Sequence, residues 1–329
     1  MRSNIMSSEY IEIKDKIYLH ICDWGEGNPI VFIPGWPLGH EMFEYQLTQL
    51  PQHGYRCIGI SMRGFGKSSK PWGEYSYDVF ADDLQSVLHS MVLDNVTLVG
   101  FSMGGAIALR YMARHNGDRI ANLALCGAAV PCFTSRPGFP YGFEPGAVDS
   151  LIKLCYSDRA KLNADFGNIF FKNSTAASPE LLDWFRSLGM EASPQATAAC
   201  LATLRDSDLR EDMRSVNVPT VIFHGLHDQI CQFELAETMA GSSKALLIGE
   251  EERVARAEAM TVEAKAKVTG AQTMAAGTEP AAGGIKGAKL IRFENSGHAL
   301  FYEEKDKFNA ELRKFIEKKS SNGKDFFPL

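Results

Sequence analysis

Residues 96–115 carry the feature that most restricts how this chain can fold: VTLVG, then FSMGG, then AIALRYMARH. A run of buried-strand character passes through a glycine-flanked serine straight into a segment with apolar residues at helical spacing. A G-x-S-x-G pentapeptide alone is common by chance, whereas strand, turn and helix in that order is much more specific. The sharp turn forces Ser102 into a strained backbone conformation. Small residues two before it (Gly100) and two after it (Gly104) let strand and helix approach closely, so the hydroxyl is presented at the end of a strand.

The rest of the chain supplies the sheet such a turn needs. From Tyr10 to Trp24 the pattern alternates as in a strand pair, and compact apolar runs follow: PIVFIP, YRCIGI, VTLVGF and IANLALCG. Short continuous runs without alternation suit strands covered on both faces. Between them, Glu41 to Leu50, Ser76 to Met91 and Gly104 to His115 show helical spacing. Strand then helix, repeated, predicts an open, mostly parallel α/β sheet with helices on both faces.

After Pro131 this rhythm stops. Residues 133–217 hold prolines, aromatics and helical fragments such as PELLDWFRSLG but no clear buried strand, and are expected to form a helical cap between two parts of one core, 1–132 and 218–329. Strands resume at PTVIFHG and AKLIRFEN, and a final helix is expected from about Glu303 to Lys318. Between those strands, at about 241–284, lies an Ala-, Glu-, Lys- and Gly-rich stretch bracketed by the near-repeats AETMAG and AQTMAAG. Its removal would leave an ordinary short helix-to-strand connection, so it is expected as an inserted flexible or helical loop at the sheet edge opposite Ser102.

A serine hydroxyl of ordinary acidity is a poor nucleophile. It needs a base within hydrogen-bond reach and a third group to orient that base. In sheets with this kind of turn the acid follows a late strand and the histidine follows the last one. Asp228 comes directly after VIFHGLH and His298 after IRFENSG, matching both places. An oxyanion would be held by two backbone N–H groups, those of Met103 and of Trp36 in Pro34-Gly35-Trp36-Pro37 after the third strand.

Rival roles exist for each residue. Asp228 could instead cap the helix QFELAETMA, His224 and His227 flank the acid but come too early in chain order to be the base, and Gly64-Phe65-Gly66-Lys67-Ser68 lacks the first glycine of a phosphate loop. The aromatics Phe139, Tyr141, Phe143, Phe166, Phe170, Phe171, Trp184 and Phe185 either line a pocket or fill a core.

Together, PGWPLGHEMF, SMRGFGKSS, GFSMGGAIALRYMARH, LCGAAVP, HGLHDQICQFE and ENSGHALFYEE resemble the α/β-hydrolases grouped as arylesterases, perhydrolases and cofactor-free haloperoxidases. The resemblance spans nearly the whole chain except about 241–284 and is weak in the cap. It implies the α/β-hydrolase fold with an eight-stranded sheet, and carboxylic ester hydrolysis through an acyl-enzyme with Ser102, His298 and Asp228 as triad, with perhydrolysis when hydrogen peroxide replaces water. Two positions depart from it: Pro34 stands where many relatives have histidine before Gly35, and Ser61 where many have aspartate. Lactone or carbon–carbon bond hydrolysis by the same triad stays open, as does a non-catalytic ligand-binding protein of the same fold.

Composition narrows the partners. With 45% hydrophobic and 22% charged residues over 329 positions, one large domain is expected, and a formal net charge of −6 with mixed signs carries no footprint for nucleic acid or anionic membrane. A small-molecule ester is the expected partner, and oligomeric state is left open. No stretch approaches the roughly 18 apolar residues of a membrane span, and the N-terminus lacks a signal-like apolar core. Seven scattered cysteines without a C-x-x-C pair suit reduced thiols in a cytoplasmic protein and give no zinc spacing, so no cofactor or metal is expected.

Overall fold

The computed structural model describes residues 9–14, 16–173, 175–241 and 283–321. Eight strands form one sheet in the order β1-β2-β4-β3-β5-β6-β7-β8. They are β1 (Tyr10–Lys14), β2 (Ile17–Trp24), β3 (Asn28–Ile33), β4 (Tyr55–Ile60), β5 (Val96–Phe101), β6 (Ile120–Cys126), β7 (Thr220–Gly225) and β8 (Lys289–Phe293). β1 pairs antiparallel with β2 and β2 with β4; every later pairing is parallel. Each of the apolar runs read as strands is one. The reason is burial: all six residues of β5 and all six of β7 are buried, as continuous apolar runs covered on both faces must be.

Helices cover both faces. α1 (Glu44–Gln49), α2 (Tyr77–Ser90) and α3 (Met103–Arg114) belong to the first half. α4 (Pro145–Ser157), α5 (Arg159–Phe170), α6 (Pro179–Met190) and α7 (Pro194–Asp206) follow β6 without an intervening strand. The second half adds α8 (Phe233–Met239), a single turn α9 (Leu300–Glu303) and α10 (Lys305–Ser321), so the last helix begins two residues later than expected, after its own preceding turn. Serine side chains cap three of these helices by accepting from the backbone: Ser76 from Val79, Ser178 from Leu181 and Ser193 from Ala196. α10 is tied to α1 by Gln46, which donates to the Phe301 carbonyl at 2.9 Å and to Asn309 at 3.3 Å.

Most of the expected insertion, 242–282, lies outside the described residues, but both of its roots are described. Ile285 N–H donates to the Met239 carbonyl at 2.7 Å, and Gly284 backs directly onto Gly241. The chain therefore departs from the end of α8 and returns at one point. That point precedes the N-terminal end of β8, whereas Ser102, Asp228 and His298 all follow C-terminal strand ends.

Candidate active site

Ser102 sits between β5 and α3 at φ 53° and ψ −119°, a region that residues with a side chain rarely adopt. Backbone bonds over-determine this conformation. Ser102 N–H donates to Cys126 O at 3.0 Å, and its carbonyl accepts from Gly105 and Ala129, each at 3.0 Å. Close approach explains the small residues around it. A Cβ on Gly104 would collide with the carbonyls of Ile33 and Pro34, and one on Gly35 would lie 2.9 Å from Ser102 Cβ. The loop after β3 is thus pressed onto the serine turn.

Asp228 and His298 are brought together. Nδ1 of His298 lies 2.7 Å from Oδ2 of Asp228, with both side chains fully buried. The other oxygen, Oδ1, accepts from the N–H groups of Ile230 and Cys231 at 2.8 Å each, so the carboxylate is fastened inside its own turn. Asp228 does not cap the following helix; Gln232 occupies that place. His224 braces the same turn, with Nε2 2.7 Å from the Cys231 carbonyl, and burial lowers its pKa, keeping it neutral. His227 reaches the Glu294 carbonyl at 3.1 Å and stays outside the site.

The link from histidine to serine is open. Nε2 of His298 is buried and has no hydrogen-bond partner, while the Ser102 hydroxyl interacts with the thiol of Cys231. Burial, with Asp228 beside it, pushes the Cys231 thiol far up, so Cys231 is a neutral neighbour and no nucleophile. Rotation of one side-chain torsion at Ser102 redirects its hydroxyl, and catalytic hydrogen bonds in unliganded sites are often unmade. Gly127 lines this junction at φ 48°; a Cβ there would stand 3.3 Å from His298 Nδ1 and 3.4 Å from Asp228 Oδ2.

The Met103 and Trp36 backbone N–H groups make no hydrogen bond to any described residue, and they flank Ser102 from α3 and from the Gly35 loop. Trp36 is anchored by its indole, which donates to the Thr197 carbonyl at 3.0 Å. Aromatic rings wall the histidine: Phe101 at 4.6 Å between centroids and Phe170 edge-on at 5.4 Å. A small cleft lined by Pro37, Leu38, Asn163, Phe166, Phe170 and Phe185 adjoins them, which places Phe166, Phe170 and Phe185 near the site.

Two glutamates fasten the histidine loop. Glu303 accepts from Gly297 N–H at 2.7 Å with one oxygen and from Lys172 N–H at 2.6 Å with the other, joining that loop to the end of α5. Ala299 N–H adds a bond to the Phe170 carbonyl at 3.0 Å. Glu304 accepts from Asn295 N–H and the Ser296 hydroxyl at 2.9 and 2.7 Å. Neither glutamate, nor Cys231, had been singled out from the sequence; the pair of acids directly after the histidine helix turn was the available signal.

Residues 28–305 match the family model described as alpha/beta hydrolase fold. The chain is 41% identical over 306 residues to the AB hydrolase superfamily protein YisY of Bacillus subtilis, covering 93% of this chain and 98% of the relative. A solved esterase from Exiguobacterium antarcticum superposes with a TM-score of 0.77 at 36% identity, covering 94% of this chain and 98% of that one. A bromoperoxidase from Bacillus anthracis superposes at 0.76 with 30% identity, over 92% and 96% of the two chains. The chain belongs to the α/β-hydrolase superfamily, and relatives with esterase and haloperoxidase names are among those it resembles.

Proposed function

We propose that this chain is a serine esterase that cleaves small carboxylic esters through an acyl-enzyme, with Ser102 as nucleophile, His298 as general base and acid, and Asp228 orienting the imidazole. The observation that carries the reading is the buried His298–Asp228 pair, its Nε2 without a partner, in a fold that also holds Ser102 at φ 53° on a strand-to-helix turn. Ser102 Oγ attacks the ester carbonyl carbon as its proton passes to Nε2, and the carbonyl π electrons move to oxygen. The N–H groups of Trp36 and Met103 receive that oxyanion. Collapse expels the alkoxide, which takes the proton from Nε2, and water repeats the sequence to free the acid. Residues 133–217 act in this reading as the cap that brings the aromatic walls over the histidine, and the seven buried free thiols suit a reducing compartment.

Hydrogen peroxide in place of water would release a peracid from the same acyl-enzyme. A relative named bifunctional esterase/perhydrolase from Acinetobacter calcoaceticus, 28% identical over 234 residues, supports this side activity. The test is a p-nitrophenyl ester chain-length panel with and without peroxide, using Ser102→Ala as the blank. Short esters should turn over, and the variant should lose roughly 10⁴-fold or more. Equal turnover in the variant, or none in the wild type, overturns the proposal.

A further inference from the structure

Away from the reaction centre, two histidines and a glutamate from separate segments converge. His20 lies on β2; His40 and Glu41 open the helical turn that follows the Trp36 loop. The side chains of His20 and His40 are 8% and 6% exposed, and that of Glu41 is 24% exposed. The imidazole centroids are 4.9 Å apart. Nδ1 of His20 is 3.7 Å from one Glu41 oxygen and Nδ1 of His40 is 3.9 Å from the other. One ring nitrogen from each histidine and one carboxylate oxygen all fall within 4.8 Å of one another. Ser61 Oγ closes a further side, 2.9 Å from His40 Nδ1 and 3.5 Å from Glu41.

What needs explaining is that His20 Nδ1 and Glu41 Oε1 are buried, face each other, and have no hydrogen-bond partner. At 3.7 Å they are too far apart to bond directly, and buried polar atoms are rarely left so. Tetrahedral coordination with metal–ligand bonds of about 2.0–2.2 Å sets ligand atoms roughly 3.3–3.6 Å apart; the two histidine-to-carboxylate separations, 3.7 and 3.9 Å, lie just above that range, and the set as a whole, spread over up to 4.8 Å, would contract around a bound ion.

We propose that His20, His40 and Glu41 bind a divalent first-row transition ion, best matched by zinc, with the Ser61 hydroxyl or water completing its shell. Two imidazoles and one carboxylate select such ions over the hard, all-oxygen preferences of calcium and magnesium. Imidazole must be neutral to ligate, and burial favours that state, lowering His20 and bringing His40 down to about 4. The Lys67 ammonium, which is exposed, opposes a cation here and Glu9 favours one. The bound ion would tie β2 to the segment that carries Trp36 at its start. Sequence spacing conceals this set, because His20 lies 20 residues before the adjacent His40 and Glu41 and meets them only through the β2–β4–β3 order.

The test does not depend on turnover. Full-length protein stripped with chelator is titrated with Zn²⁺ by calorimetry and with Co²⁺ by visible absorption, alongside Glu41→Gln, His20→Gln and, as a control, His89→Ala, which removes the exposed His89–Asp118 pair. Wild type and control should take up one equivalent with a four-coordinate Co²⁺ spectrum and a raised Tm, and each ligand variant should bind at least ten-fold more weakly. Circular dichroism verifies folding; if His20→Gln unfolds, Glu41→Gln decides, since it keeps the shape of a partly exposed side chain. No stoichiometric uptake by the wild type, or unchanged affinity in folded Glu41→Gln, overturns the proposal.

Discussion

The strained turn at Ser102 predicts an inversion of a usual stability order. Compare Ser102→Ala with Ser102→Gly, both of which remove the hydroxyl and so differ only in a methyl group and backbone freedom. At an ordinary buried position glycine loses to alanine by roughly 1.5 kcal/mol, from about 0.7 of unfolded-state entropy and about 0.8 for one buried methyl. At φ 53° and ψ −119° alanine keeps the strain and glycine sheds it, a difference of about 1–3 kcal/mol. At mid-range, glycine then leads by about 0.5 kcal/mol, a swing of about 2 kcal/mol from the ordinary case. The backbone bonds to Cys126, Gly105 and Ala129 are common to both variants and cancel. Urea unfolding monitored by circular dichroism resolves such a swing from the midpoints, provided the slopes agree. A glycine variant less stable than the alanine variant by the full ordinary margin would refute the claim that the fold holds this residue in a costly conformation.

Further outcomes follow from the loops around the site. Glu303→Gln puts an amide NH₂ against one of the two N–H groups the carboxylate now accepts from, so stability should fall by about 1–3 kcal/mol. Ester kcat should fall more than KM rises, because the His298 loop shifts; an unchanged kcat and unfolding midpoint would show that Glu303 does not position the histidine. Burial raises the Glu303 pKa despite those N–H groups, so its contribution to stability falls as pH rises from the ordinary glutamate value through the folded-state value. The pH dependence of unfolding in wild type against Glu303→Gln measures this, and a slope of opposite sign in that window counts against it. Deleting residues 242–283 to join Gly241 directly to Gly284 should leave Tm no lower and ester turnover within about two-fold, since the ends already meet; aggregation or loss of turnover would mean that the segment contributes to the core.

Much of this architecture was legible because burial writes itself into the strands. PIVFIP, VTLVGF and PTVIFHG are continuous apolar runs for the physical reason that both faces are covered, and chain order pointed to Asp228 and His298 as candidates, which the fold brings 2.7 Å apart. Contacts across the sheet were not legible. That Asp228 anchors its own turn rather than capping α8 depends on the bend at residues 228–231. Cys231 reaches Ser102 only through the β6–β7 neighbourhood, and Glu303 folds back because α9 is a single turn. The two departures at Pro34 and Ser61 acquire meaning only in space: the Pro34 carbonyl packs on Gly104, and Ser61 holds the His40 backbone and ring.

The position of β8 at one margin of the described sheet, next to β7, has a consequence for biosynthesis. A nascent chain emerging from the ribosome presents Ser102 after about a third of its length, yet His298 arrives only after β8. In the proposed mechanism, Ser102 therefore has no base to activate it until that strand docks, so the order of synthesis would keep unfinished chains from being acylated.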